Sequence, residues 1–248
     1  MTNMIDQNDS YNVASKQRIL LSMMMDFHEF CMQHEIDYSI IGGTLLGAIR
    51  EKGFIPWDDD IDILMDRPNF EKLQGESGSL GKYVLREVLW VYKIVDKDTD
   101  KKTGIKEDTP VLDIFIVDRI PSRKKKIKVL GLKILQGMMK TTKNTKKDIS
   151  MAYKIALAVT GGFGKLFSIG RKQKMYTALS VWGNSETQQP LMICNDIFQS
   201  LGCEYDSKLM DEYENVFFEN RELMAIKNWD NYLREQYGDY MTPVRTEH

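Results

Sequence analysis

The sequence is poor in the residues that build cross-linked or metal-stapled proteins. Its 248 residues include three cysteines, Cys31, Cys194 and Cys203, an odd number with no Cys-x-x-Cys pair. This excludes a disulfide framework and a zinc site and makes a reducing cytosol the expected compartment. The histidines, His28, His34 and His248, are too scattered to form a ligand cluster. Long apolar runs are also missing. The longest uncharged stretches, Ile155–Gly164 and Met175–Ser185, fall well short of the ~20 apolar residues of a spanning helix. The polar start, Met1 to Ser10, lacks the apolar segment of a signal peptide. No repeat or low-complexity region stands out, so the expectation is a protein that does not cross a membrane.

What is present is ordinary in amount and uneven in placement. Hydrophobic residues make up 42% and charged residues 28%, as in soluble proteins with a substantial core. Yet fifteen of the 34 Lys/Arg and one of the 36 acids, Asp148, lie between Arg123 and Lys174. A basic block is thus set into an acidic chain.

The chain is organised around one stretch. An apolar run, Tyr38 to Ile41, ends at the turn Gly42-Gly43-Thr44; a short helical pattern follows and stops at Gly53. A second strand-like run then carries Asp60 and Asp62. Side chains alternate along a strand, so these two acids face the same way, about 6–7 Å apart. Adjacent carboxylates resist joint ionisation unless a cation sits between them, and hard oxygen ligands suit Mg²⁺. A Gly-Gly turn at a helix start offers free N–H groups to phosphate. Together these features point to metal-assisted phosphoryl transfer. Read separately, the halves are an ordinary turn and a solvated strand end.

The run Gly42 to Arg50, with Gly53-Phe54-Ile55-Pro56-Trp57-Asp58-Asp59-Asp60-Ile61-Asp62, resembles the LicD family, which includes fukutin-like proteins, within the nucleotidyltransferase superfamily. The resemblance continues in Leu112-Asp113-Ile114-Phe115, through Asp118-Arg119-Ile120-Pro121, and in Tyr237-Gly238-Asp239-Tyr240-Met241. It implies a nucleotidyltransferase-type α/β (α+β) unit, a small mixed sheet flanked by helices with a helical insertion. It implies transfer of phosphocholine from CDP-choline, or another CDP-activated alcohol, to a lipid-linked or polymeric glycan precursor, with release of CMP. Teichoic acid, capsule and lipopolysaccharide units are the acceptors in view. Asp60, Asp62 and Asp113 are the implied catalytic acids, holding two Mg²⁺, or Mn²⁺ in their place, with Asp58 as a further ligand. Gly42, Gly43 and Thr44 would cradle phosphate. Arg50, from the motif, and Lys93, from its place after a strand, would neutralise building charge. Two other readings stay open: nucleotidyl transfer to a small acceptor, and a binding protein on a retired transferase fold. The presence of all three acids opposes the last.

Asp113 sits inside the apolar run Val111–Asp118, where an ionised group is costly unless paired or metal-bound. A structural ion pair competes with the metal role. Asp58 and Asp59 either reach the metal or shape the turn.

Along the chain, Ile19, Met23, Phe27, Phe30, Cys31 and His34 predict a helix over Ala14–His34, with Met23-Met24-Met25 as core filler. Strands are expected at Asp37–Ile41, Asp60–Met65 and Val111–Asp118, and helices at Gly43–Lys52 and Arg67–Gln74. Tyr83–Val88 and Leu89–Val95 read as two strands or one bent one, and Lys97–Asp108 as a charged turn. In Ser122–Lys140, Ile127, Leu130, Ile134 and Met138 form a stripe among lysines; Thr141–Thr145 interrupts. Helices over Met151–Val159 and Lys172–Trp182 are separated by Gly161-Gly162-Phe163-Gly164, read as a helix break because it lacks the Gly-Lys-Ser/Thr ending of a P-loop. Apolar runs at Leu191–Phe198 and Asn215–Phe218 and a helix at Trp229–Tyr237 follow.

The expected divisions are a tail at 1–13, a catalytic core at 14–121, a basic insertion at 122–182, and a segment at 183–248 packed on the core. Asp58-x-Asp60-x-Asp62 mimics an EF-hand loop, but Ile63 and Asn69 stand where Gly and Glu are needed. The basic block carries no nucleic-acid reading motif, so nucleic acid is not the expected partner. A solvated lysine face, a partner surface and a peripheral anionic membrane contact on the cytoplasmic side are the readings it leaves.

Overall fold

The computed structural model describes residues 13–140, 151–184 and 188–242. The expected tail up to residue 12, the interruption at 141–145 and residues 243–248 lie outside these. Helix α1 spans Ala14–Gln33 and buries Leu20, Met24, Phe27 and Cys31, a stripe at helical spacing. Ile19, expected on that stripe, is exposed, because the buried arc is centred on Leu20 and leaves Ile19 at its edge.

Strand β1, Ser39–Ile40, is shorter than expected: the Asp37 end turns to a side chain of a later helix, while at the other end one more bond to the next strand precedes a helix. Asp37 N–H donates to Asn69 Oδ1 at 2.9 Å, and Ile41 N–H to the Asp62 carbonyl at 3.1 Å. After α2, Gly42–Arg50, comes β2, Ile61–Asp66, paired antiparallel with β1 through Ser39↔Leu64 and Ile40↔Ile63. Helix α3, Arg67–Glu76, starts where the Asp66 carboxylate accepts from Asn69 N–H. Strands β3, Tyr83–Val88, and β4, Val91–Asp96, settle the open choice in favour of two strands.

The charged turn expected at Lys97–Asp108 opens instead with a helix, α4, Lys97–Thr103. Its cause is local. The Asp96 carboxylate caps Asp98 and Thr99, acids fill the first turn, lysines fill the last, and Gly104 closes the helix at φ +67°. Strand β5 is Leu112–Arg119. The sheet order is β1-β2-β5-β4-β3, and a short strand β6, Leu191–Ile193, pairs antiparallel with the end of β5. Strands β7, Tyr213–Phe218, and β8, Arg221–Ile226, form a separate hairpin, followed by the last helix at Trp229–Tyr237. This is the expected α+β arrangement, a mixed sheet flanked by helices.

The chain divides into two units. The first holds residues up to 86, 93–114 and 208 onward; the second holds 87–92 and 115–207. In the first, Ile226 N–H donates to Ser39 Oγ at 2.9 Å, tying β8 to β1. In the second, Trp90, Leu132, Leu135, Tyr176 and Met192 build a core of their own. Its helices are α5 (Lys125–Met139), α6 (Met151–Gly164) and α7 (Ile169–Ser180). Lys128 is buried in it, donating to the carbonyls of Arg119, Ser180 and Trp182 at 2.7, 2.6 and 3.1 Å. The glycine cluster does not separate two helices where expected: α6 runs on through Phe163 and ends at Gly164. The glycines give close approach. A Cβ on Gly164 would lie 2.2 Å from the Met138 carbonyl oxygen, and one on Gly137 would lie 2.4 Å from Thr160 Oγ1.

Candidate active site

The site lies in the first unit, where β1 runs into α2. Gly42 has φ +58°, a conformation that favours glycine, and turns the chain so that α2 starts beside β2. A Cβ on Gly42 would lie 2.9 Å from Asp62 Oδ2, and one on Gly43 would lie 2.7 Å from Asp58 Oδ2. The two acids thus press against the two glycines. Thr44 is buried, and its hydroxyl oxygen accepts from Asp62 N–H at 3.0 Å, which pins the start of β2 to the helix.

The loop carrying Asp58 and Asp59 is fastened by α1. Buried Gln17 donates from Nε2 to the Asp58 carbonyl at 2.8 Å and to the Ile55 carbonyl at 3.3 Å. Lys16 reaches Asp59 Oδ2 at 2.6 Å. Asp60 lies one residue ahead of β2 and shares a hydrogen bond with Asp58. Burial first, then the charge of Asp60, pushes the Asp58 carboxyl up to about 8. Asp60 is reachable from solvent yet lies among enough protein to lose much of its hydration. That loss raises its pKa, the charges of Asp113 and Asp59 add to the rise, and the bond to Asp58 opposes it.

Asp113, on β5, forms an ion pair with Lys93 on β4. The structural pairing and the proximity to Asp60 therefore hold together. Arg50 faces different partners: its Nε meets Glu51 at 2.7 Å and its Nη1 donates to the Tyr240 carbonyl at 3.2 Å. It acts as a strut for the turn after the last helix, here α8.

Two residues escaped the sequence reading. Gln17 gives no signal of its own in sequence. Tyr237, at the end of α8, stands close enough to Asp62, Asp58 and Asp60 to feel all three; its ring is open to solvent on one side, yet lost hydration of the hydroxyl first and then those charges push it up to about 12. The stretch around it resembled the family ending, but nothing in it named a role.

Among the described residues no three His, Cys, Asp or Glu side chains stand as a ready-made metal cage. The donor set still fits Mg²⁺, which takes one or two carboxylates and completes its shell with phosphate oxygens and water. Asp58 and Asp60 share a proton that such a cation would displace.

Residues 35–154 match the family model described as LicD/FKTN/FKRP, nucleotidyltransferase domain. The lipopolysaccharide cholinephosphotransferase LicD of Haemophilus influenzae is 29% identical over 255 residues, covering 92% of this chain and 91% of that protein. An uncharacterized protein of Rickettsia prowazekii is 44% identical over 118 residues, 46% of this chain and 39% of that protein. One of Rickettsia typhi is 32% identical over 127 residues, 46% of this chain and 41% of that protein.

Proposed function

Because the chain belongs to the LicD family through residues 35–154, we propose that it moves phosphocholine, or a similar phosphorylated alcohol, from a CDP-activated donor to a sugar hydroxyl of a cell-surface glycan precursor. The observation that carries this reading is the contact of Gly42 and Gly43 with the carboxylates of Asp62 and Asp58. It joins a phosphate-binding turn to a cation-binding pair of acids. The head group and the glycan acceptor are supported by the named activity of the Haemophilus relative, similar over nearly the whole of both chains.

In this mechanism Asp58 and Asp60, with Asp62 and Asp113, would hold Mg²⁺. When bound, the ion would supply neutralisation of the donor's pyrophosphate and of charge on the attacked phosphorus. N–H groups at the start of α2 hold a phosphate oxygen. Asp113, positioned by Lys93, orients the acceptor hydroxyl and takes its proton as the new P–O bond forms. The P–O bond to the CMP portion breaks in line, and CMP leaves with the electron pair. Lys93 offsets the negative charge gathering around the transferred group. The site on this reading is of the nucleotidyltransferase superfamily type.

The test uses purified protein, Mg²⁺, a glycan acceptor and a panel of CDP-alcohols labelled on the alcohol-side phosphate. Label in the glycan with CMP in solution is the expected result. The second reading, favoured by the nucleotidyltransferase description of the matched domain, puts the nucleotide on the acceptor and frees the phosphorylated alcohol. Transfer of neither part from any donor would overturn both.

A further inference from the structure

The second unit carries an apolar face that its own core does not use. On α5, Ile127, Leu130 and Ile134 recur at three- and four-residue intervals, with 64%, 61% and 42% of their surfaces exposed. The opposite face of the same helix buries Leu132, Leu135 and Met139. On α6, Ile155, Val159 and Phe163 recur every four residues and are 58%, 55% and 64% exposed. The two helices cross closely where Gly137 meets Thr160 and Gly164 meets Met138. One exposed apolar stripe on each of two packed helices needs a covering that the described residues of this unit do not give.

The charge around these stripes says what fits. Arg123, Lys124, Lys126, Lys165, Arg171 and Lys174 are all exposed, the sequence from Arg123 to Lys174 holds a single acid, and Glu204, from outside that stretch, is already paired with Lys125. A protein partner of mixed charge has no use for so one-sided a rim. An interfacial helix on a lipid surface has both features, apolar side chains toward the acyl boundary and long cationic side chains reaching the headgroups. No helix among the described residues is long and apolar enough to cross a membrane, so this contact lies on the surface without spanning. We infer that the exposed faces of α5 and α6 dock reversibly on an anionic lipid surface. The inference stands apart from the chemistry proposed above and survives if the donor is a different one.

The experiment is co-sedimentation of the full chain with vesicles of phosphatidylglycerol and phosphatidylcholine, against vesicles of phosphatidylcholine alone, at low and high salt. Binding to the anionic vesicles, weakened by salt, is expected. Neutralising Lys126 and Lys165 to Gln weakens partitioning by roughly fivefold per charge. Leu130→Ser with Phe163→Ser reduces it at least tenfold while leaving the far-UV spectrum unchanged, as the substituted side chains are exposed. Absence of binding at low salt, or binding that neither double variant changes, overturns the inference. So does a dimer in sedimentation velocity that the apolar variants split, because a second copy would then cover the face. Retention on nucleic acid that falls in the same variants, with no vesicle binding, overturns it too.

Discussion

The Lys93 ammonium and the Asp113 carboxylate meet directly across β4 and β5, each side chain only about a fifth exposed. Lys93 therefore holds one acid of the site, as Lys16 holds another at Asp59. Replacing Lys93 with Met leaves a more negative cluster. The expected outcome is at least tenfold slower transfer with a lower Mg²⁺ concentration for half-maximal rate. Mg²⁺ titrations of initial rate check both, and wild-type values for both would show the pair to be structural alone.

Asp62→Asn and Asp113→Asn are expected to abolish transfer in a folded protein. Removing Asp62 from a mutually repelling group costs little stability in the absence of metal, whereas Asp113→Asn leaves Lys93 without its partner and is expected to lower the melting temperature while the protein stays folded. More than a tenth of wild-type activity in both variants would sink the assignment of these acids.

Gly43→Ala puts a Cβ where the Asp58 carboxylate now lies, at 2.7 Å, so that acid has to move. Gly42→Ala combines a 2.9 Å contact to Asp62 with φ +58°, and is expected to cost about 1 kcal/mol or more of stability as well. A fall in turnover of about a hundredfold is expected for each. Melting curves with rate assays separate the two effects: Gly43→Ala lowers the rate and nearly keeps the melting temperature.

In the metal-free protein the proton shared by Asp58 and Asp60 is held more tightly in the folded state than in the unfolded chain. Between about 4 and about 8 the folded state therefore binds more protons, and stability falls as pH rises through that window. Mg²⁺ competes with that proton. Its stabilising shift in thermal melts is expected to be small near pH 5 and larger near pH 8. Equal shifts at both values would place the bound cation elsewhere.

Much of this site was legible because its signals are local. The glycine turn and the lone acid in Val111–Asp118 each follow from a handful of adjacent residues, whereas Asp60, expected on the strand beside Asp62, lies one residue ahead of it and meets Asp58. Helix α8 matched its expected bounds for the same reason. Helix α4 was missed because it buries no residue and so shows no apolar period; only its Asp96 cap betrays it. The course of α6 through its glycines depends on Met138, a contact across another helix. Gln17 could not be found at all from sequence, since its partners at Ile55 and Asp58 are supplied by folding.

The first unit is written in the gene as separate passages. The acid loop is braced late: Phe54 N–H donates to Glu219 at 3.2 Å, and Arg50 holds the carbonyl of Tyr240. A ribosome making this chain therefore releases Asp58, Asp60 and Asp62 long before the strands and helix that close around them. The passage from 115 to 207 emerges in between and can bury its own core while the first unit is still waiting. A message cut short before residue 208 would lack β7, β8 and α8, and with them the braces of the acid loop. The acids of the candidate site thus stay without these braces until translation has nearly finished.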